Sequence, residues 1–153
     1  MQVYLVQHGE ATSVEVNPER PLTEKGKADV GKIARFLKNS DIKLDAIWHS
    51  TKLRAKQTAE IIAEAIKPEQ GIQQKENLAP LDTINKACQA INELRMNLMI
   101  VGHLPFLPKL TSMLLAGSET LELVSFKQGG VVGLEKKEKG WQLQWMIIPD
   151  LLK

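Results

Sequence analysis

Short apolar runs that stop at or just before a histidine are the feature that most constrains how this chain can fold. Runs of three or four apolar residues, ended by polar residues or glycine, are typical of buried β-strands. The runs and their histidines are residues 3–6 with His8, residues 46–48 with His49, and residues 98–101 with His103. These are all three histidines of the chain. The sequence therefore predicts three strands that each end beside a histidine.

Amphipathic segments separate these strands. The first predicted helix begins after Thr23, a favourable N-cap, and its apolar face recurs at helical spacing: Val30, Ile33, Ala34 and Leu37. Three more helices are predicted over residues 50–66, over residues 83–96 with Asp82 or Thr83 as the cap, and from Pro105 to a C-cap at Gly117. Helices and strands thus alternate along most of the chain.

The predicted order of elements favours one architecture. The strands are expected at the first run, then at residues 43–48, 71–75, 98–101, 131–134 and 141–148. In the last strand Trp141, Leu143, Trp145 and Ile147 alternate with other residues, so they are expected on one face. The order β-α-β-α-β-α-β-α-β-β predicts a three-layer α/β/α sandwich. Its sheet is mostly parallel and carries a C-terminal antiparallel hairpin at one edge.

Size and composition exclude several classes of protein. At 153 residues, the chain is expected to form a single domain over 1–153. A hydrophobic share of 43% and a charged share of 25% are typical of a soluble globular protein. The net charge of +2 does not favour nucleic acid as a partner. No apolar run is long enough for a membrane span, and none resembles a leader peptide.

Cys88 is the single cysteine, so an internal disulfide is impossible. It lies on the apolar stripe of the third predicted helix, where a buried hydrophobic role is more common than a nucleophilic one. A chain without disulfides favours a reducing, cytoplasmic location.

The start of the second predicted helix carries three cationic residues, Lys52, Arg54 and Lys56. Positive charge is unfavourable at a helix N-terminus unless an anion is bound there. For Lys52 and Lys56 we favour a solvated basic face. For Arg54 we predict anion binding, because its guanidinium matches phosphate oxygens and it shares the sheet edge with His8 and His103.

A pocket with two histidines and an arginine supports few reactions. Ligands in α/β sheets bind beyond the carboxyl ends of the strands, where these residues are expected. The sequence has no Walker-type glycine loop and no G-x-S-x-G elbow. Phosphoryl transfer with an imidazole as nucleophile or base remains.

Four ordered motifs resemble the histidine phosphatase superfamily, and most closely its short, SixA-type phosphohistidine phosphatases. The motifs occupy residues 7–11, 20–26, 50–60 and 102–105, and the similarity spans nearly the whole chain. The resemblance implies a phosphoglycerate-mutase-like fold. It also implies that His8 is a nucleophile that becomes transiently phosphorylated, while Arg54 and His103 hold the phosphoryl oxygens. No metal or other cofactor is implied.

The sequence departs from the family pattern at two phosphate-binding positions. The family motif begins Arg-His-Gly, whereas Gln7 stands in place of that arginine. An amide can donate a hydrogen bond to phosphate but brings no charge, which predicts a loss of about 1–2 kcal/mol. His49, beside Ser50, could restore some charge at the rim, although a lone rim histidine is more often a bystander.

The general acid is the third departure. Larger relatives use a carboxylate after the third strand, and Glu76, Glu10 and Asp82 are the candidates here. The imidazole of a phosphohistidine leaves more readily than an alkoxide, so a weak general acid slows the hydrolysis of phosphohistidine less than that of a phosphate ester. The short stretch 68–82 leaves little to roof the pocket, which favours a phosphohistidine on a phosphotransfer domain or phosphocarrier as the partner.

Three alternatives stay open at this point. The chain could hydrolyse a small phosphate ester, or it could be a phosphate-binding module whose catalysis is weakened by Gln7. A zinc site built from His8, His49 and His103 is the third, although a nearby arginine disfavours a cation.

Overall fold

Six strands and four α-helices follow one another in the predicted order in the computed structural model, which describes residues 1–153. The strands are β1 (Gln2–Gln7), β2 (Ala46–His49), β3 (Ile72–Gln74), β4 (Leu98–Gly102), β5 (Val131–Lys137) and β6 (Gly140–Ile147). The helices are α1 (Glu24–Asn39), α2 (Leu53–Ile66), α3 (Asn85–Glu93) and α4 (Phe106–Ala116), and a 3-10 turn at Pro149–Leu151 follows β6. None of the helices is both long and apolar enough to cross a membrane.

The strands form one sheet in the order β3-β2-β4-β1-β5-β6. The first four are parallel, while β5 runs antiparallel to β1 and forms a hairpin with β6. Helices α1 and α2 pack with one buried cluster on one face, and α3 and α4 pack with a second cluster on the other. This confirms the predicted three-layer α/β/α sandwich with its antiparallel hairpin at one edge.

The central strands are apolar on both faces because helices cover both sides of the sheet. In β1, Leu5 faces the α3–α4 side and Val6 faces the α1–α2 side. Ile100 and Val101 alternate in the same way in β4, and all four side chains are fully buried. The pairing of β1 with β4, which brings together distant parts of the chain, therefore lies in the fully buried centre of the sheet.

The prediction for one face of β6 is wrong, because a β-bulge interrupts the alternation. Gly133 pairs with Trp145 but Leu134 pairs with Leu143, which leaves Gln144 as the extra residue. Trp141 consequently packs on the α3–α4 side and Trp145 on the α1–α2 side. The bulge lets one strand cover both faces of the sheet.

Two helix starts also differ from the sequence prediction. Helix α2 begins at Leu53, not near residue 50, since the Ser50 side chain is engaged elsewhere. Helix α3 begins at Asn85 after Ile84, so the predicted caps Asp82 and Thr83 are wrong. The carboxylate of Asp82 instead accepts a hydrogen bond from the backbone N–H of Ala79 (2.9 Å) and closes the preceding turn.

The remaining boundaries shift by a few residues. Helix α3 ends at Glu93 and not at residue 96, and β2 begins at Ala46 and not at residue 43. Two caps are confirmed, because the Thr23 hydroxyl accepts from the N–H of Gly26 and Gly117 ends α4 in the left-handed region. Cys88 is half-buried, which is less than the sequence predicted.

A close backbone contact between α1 and the segment after β1 requires glycine. A Cβ on Gly26 would lie 2.2 Å from the carbonyl oxygen of Glu10, which is far inside van der Waals contact. A Cβ on Gly9 would lie 2.8 Å from the Val30 side chain. The two glycines let the residues that follow β1 lie directly on α1.

Candidate active site

The carboxyl ends of β1 and β4 bring two of the predicted site residues together. Gln7 pairs with Gly102 in the sheet, and the backbone N–H of His8 donates to the Gly102 carbonyl (3.1 Å). The ring centroids of His8 and His103 are 5.0 Å apart. Both side chains are buried, with exposed fractions of 7% and 1%. The parallel register thus places two imidazoles side by side at the sheet edge.

The first turn of α2 adds Arg54 to the two histidines. Thr58 links this turn to the segment after β1, because its Oγ1 accepts from the N–H of Gly9 and donates to the Arg54 carbonyl. The positive charge of Arg54 lowers the pKa of both His8 and His103. Burial, followed by repulsion from Arg20, lowers the pKa of Arg54 itself. The structure therefore unites His8, Arg54 and His103 although they lie far apart in the sequence.

Buried polar atoms without a hydrogen-bond partner are concentrated at this edge of the sheet. Four such atoms occur in the protein, and three belong to Gln7 (Oε1), Arg54 (Nε) and His103 (Nδ1). Each orphaned group costs about 1–3 kcal/mol, so native structures keep few of them without a reason. A bound oxyanion would satisfy the two nitrogen donors, which makes phosphate-type chemistry the natural use of this pocket.

The tautomer of His8 follows from its neighbour. Its Nδ1 lies 2.7 Å from the carbonyl oxygen of Gly9, so Nδ1 carries the hydrogen and donates it. The lone pair then resides on Nε2. Burial lowers the pKa of His8 to about 4, opposed by the Gly9 carbonyl and helped by Arg54 and Arg20. His8 is accordingly neutral at pH 7, with a free lone pair on Nε2.

A chain of hydrogen bonds holds the imidazole of His103. The backbone N–H of Lys52 donates to Ser50 Oγ (3.2 Å), and this oxygen lies 2.6 Å from His103 Nε2. A serine hydroxyl can both donate and accept, and in the arrangement where it donates to His103, the Nε2 lone pair is the acceptor. The hydrogen of the neutral imidazole then lies on Nδ1, the orphaned atom.

The charge of the site is carried by its arginines and a lysine. Burial lowers the pKa of His103 to about 3, followed by the effects of His8, Arg54, Lys52 and Arg20. No carboxylate contributes to the pKa of either histidine. The pocket therefore combines neutral imidazoles with fixed cations, an arrangement that can bind and polarise a phosphoryl group.

Three further residues at the site were not predicted as functional. Arg20 reaches the site from a left-handed backbone conformation (φ 50°), and its Nε donates to the Thr12 carbonyl. Thr58 Oγ1 accepts from the N–H of Gly9 (3.0 Å) and donates to the Arg54 carbonyl (2.8 Å). Ser50 is the third. Each stands inside a recognised motif, but nothing in the local pattern shows which histidine or loop it contacts.

The other phosphate-binding candidates, Gln7 and His49, are both buried. Gln7 ends β1, and its backbone carbonyl accepts from Gly129. His49 Nδ1 lies 2.8 Å from the Ser50 carbonyl oxygen, so the ring is held by the adjoining backbone. No three histidine, cysteine or acidic side chains are grouped closely enough to hold a metal ion. The three-histidine zinc site therefore lacks support from the geometry.

The three candidate acids lie in different places. Glu10 Oε2 accepts a hydrogen bond from the Thr23 hydroxyl (2.7 Å), at the start of α1. Glu76 is exposed and lines a small cavity with Trp48 and Lys75. Asp82 is engaged by the turn before α3. None of the three acts on the pKa of His8 or His103.

Comparison with known proteins defines the class of this fold and site. The family model of the histidine phosphatase superfamily (branch 1) matches residues 3–85. The chain belongs to the histidine phosphatase superfamily. It is 27% identical to the phosphohistidine phosphatase SixA of Escherichia coli (strain K12) over 158 aligned positions, covering 100% of this chain and 97% of that protein. These similarities support a phosphatase.

Two further proteins are similar to this chain in sequence or fold. An uncharacterized protein of Picosynechococcus sp. is 30% identical over 142 aligned positions, covering 88% of this chain and 84% of that protein. The solved structure of the protein histidine phosphatase SixA complexed with tungstate superposes with a TM-score of 0.88 at 23% identity, covering 100% of both chains. The overall fold is thus that of the SixA-type members.

Proposed function

We propose that this protein is a phosphohistidine phosphatase that removes phosphate from a histidine of a signalling or phosphotransfer protein. The observation that carries the proposal is the neutral, buried His8, whose ring centroid lies 5.0 Å from that of His103. Arg54 Nε and His103 Nδ1 are buried atoms without a hydrogen-bond partner. Similarity to a phosphohistidine phosphatase along the whole chain supports the same substrate class. In this proposal residues 1–153 form one catalytic domain.

In the first step, His8 Nε2 attacks the phosphorus of the substrate phosphohistidine. The new P–N bond forms as the substrate N–P bond breaks, and the electron pair of the broken bond stays on the departing imidazole. That imidazole takes its proton from solvent. Arg54 Nε and His103 Nδ1 donate to the phosphoryl oxygens and stabilise the charge in transit.

In the second step, water attacks the phosphorus of phospho-His8. The P–Nε2 bond breaks, its electron pair returns to Nε2, and inorganic phosphate leaves with the oxygen of the water. The Gly9 carbonyl, which holds Nδ1–H throughout, keeps the ring oriented and favours the positive charge of the phosphorylated imidazole. His8 is then ready for another cycle.

The surroundings of the histidines bear on the choice of leaving group. The carboxylates of Glu10 and Asp82 are engaged by Thr23 and Ala79, and no carboxylate shifts the pKa of His8 or His103, which disfavours a strong general acid beside them. An alkoxide leaving group needs such an acid, because it departs as a strong base. An imidazole departs without one. This difference favours phosphohistidine over a phosphate ester as the substrate.

A comparison of substrates tests the proposal. We expect kcat/KM for a phosphorylated histidine phosphotransfer domain to exceed that for sugar and nucleotide phosphates by at least about a hundredfold, because protonation of the leaving group contributes 10²–10⁴-fold. Released phosphate is measured for each substrate. Higher kcat/KM for any of the esters would replace the proposal by a small-molecule phosphomonoesterase.

Replacement of Ser50 by alanine tests how His103 is held. We expect Ser50→Ala to lower kcat by about tenfold to a hundredfold, because His103 loses the hydrogen bond at Nε2 that fixes its ring orientation and biases its tautomer. The pH profile of kcat should change with it, whereas Ser50→Thr, which keeps the hydroxyl, should recover most of the rate. An unchanged pH profile, with loss in thermal stability alone, would show that Ser50 serves packing.

Replacement of Gln7 by arginine tests the departure from the family motif. We expect Gln7→Arg to raise kcat/KM by about tenfold, since a charged donor to phosphate adds roughly 1–2 kcal/mol over a neutral one. Gln7→Leu, which removes the donor, should lower it. A wild type without turnover that becomes active only as Gln7→Arg would identify the natural protein as a phosphate-binding module.

A further inference from the structure

A basic groove adjoins the pocket of the two histidines. The start of α2 lines it with exposed Lys52 and Lys56 and with Arg54, and residues 18–19 and Gln74 form other parts of its wall. The groove is open and has a volume of about 480 Å³. Arg54 lines the groove, and Thr58 ties the turn that carries Arg54 to Gly9, the residue after His8, so the groove lies next to the histidines.

The cations of the groove have no partners within the protein. Four ion pairs occur in the structure, and none includes Lys52, Arg54 or Lys56. Glu19 is the single acidic residue in the wall, against these three cations. The helix dipole adds to the positive potential, because the first turn of α2 carries no acidic residue. Such a surface complements an anionic ligand.

The lysines are close enough to act on the same ligand as the histidines. The backbone N–H of Lys52 donates to Ser50 Oγ, which lies 2.6 Å from His103 Nε2, so Lys52 is one residue contact away from that histidine. Its charge also lowers the pKa of His103. Lys56 follows one helical turn later and lines the same groove. A molecule whose phosphate lies at His8 would therefore place its neighbouring groups over these two lysines.

The shape and lining of the groove favour a polypeptide over a small molecule. Sites for small molecules are mostly enclosed and apolar. This groove is open, and most of its wall is charged or polar. We propose that it binds an acidic stretch of the substrate protein beside the phosphohistidine. This inference rests on the proposed function and specifies the partner's chemistry.

Two synthetic peptides test the proposal. Both carry the same phosphohistidine, with aspartate and glutamate flanks in one and asparagine and glutamine flanks in the other. We expect wild-type kcat/KM to be about fivefold higher for the acidic peptide at low ionic strength, and the preference to decline with added salt. Lys56→Glu should abolish the preference, because it puts a like charge against the acidic flanks.

Lys139→Glu is the matched control for the change in charge. Lys139 is exposed in the turn between β5 and β6, at the opposite end of the strands from the pocket, so this variant should keep the preference. Equal wild-type kcat/KM for the two peptides, or a preference that survives in Lys56→Glu, would overturn the groove proposal alone. If the protein hydrolysed neither peptide, both the proposed function and the proposed role of the groove would be refuted. Faster turnover of a small bisphosphate ester would assign the groove to a small polyanion instead.

Discussion

His8→Ala is expected to lower the rate of phosphohistidine hydrolysis by about 10⁴-fold or more, because it removes the atom that forms the covalent intermediate. With labelled substrate, wild-type protein should acquire acid-labile phosphate on His8 during turnover, and the variant should acquire none. Protein-bound label after rapid quenching, together with the steady-state rate, measures both effects.

Correct folding of the variant is checked by its thermal melt and by phosphate binding, which Arg54 and His103 should still support. His8→Asn, which keeps a polar side chain of similar size, should be as inactive as alanine. Substantial turnover by either variant, in protein that melts like wild type, would exclude His8 as the nucleophile. It would leave His103 as the imidazole to test next.

Arg54→Ala is expected to lower kcat/KM by about 10³-fold. Its Nε is a buried donor without a partner, and its charge reaches both histidines, so it is placed to stabilise the transferring phosphoryl group. Loss of one such preorganised donor typically costs about 10²–10³-fold, and loss of the positive charge adds to that. Steady-state kinetics and affinity for inorganic phosphate measure the two contributions.

Arg54→Lys separates charge from geometry. Lysine keeps the charge but lacks the planar fork of donors, so it should recover part of the phosphate affinity and little of kcat. Lys56→Ala, one helical turn away, should have a far smaller effect on hydrolysis of phosphoramidate, a substrate without flanking groups. If Arg54→Ala lost no more than Lys56→Ala on this substrate, Arg54 would belong to the groove alone.

Much of the fold was predictable because its signals are local. The apolar runs that end at His8, His49 and His103 predicted three strands, and helical spacing from Thr23 to Leu37 predicted α1. These patterns depend on residues within one turn or one strand of each other, so no knowledge of distant parts is needed. The element order then limited the architecture to an α/β/α sandwich.

The errors arose where a distant contact overrides the local pattern. Alternation in β6 predicted one face for Trp141 and Trp145, but pairing with β5 introduces a bulge at Gln144. The sequence predicted a helix from residue 50, but the Ser50 hydroxyl contacts His103 and α2 begins at Leu53. The partner is a neighbouring strand in the first case and the residue after β4 in the second.

The sequence by itself determined the order of elements, the strand ends that carry His8 and His103, and the cationic start of α2. Each of these features depends on residues that are close together in the chain. Only the tertiary structure decided which of these groups form hydrogen bonds with one another and which shift one another's pKa. Ser50 and His103 are 53 residues apart, and their hydrogen bond holds the imidazole at Nε2 while Nδ1 has no partner. Arg20 and Lys52 likewise lower the pKa of His103 across loops that no local pattern connects. Burial in the folded sheet edge, more than any single residue, keeps both imidazoles neutral, because desolvation disfavours their charged forms.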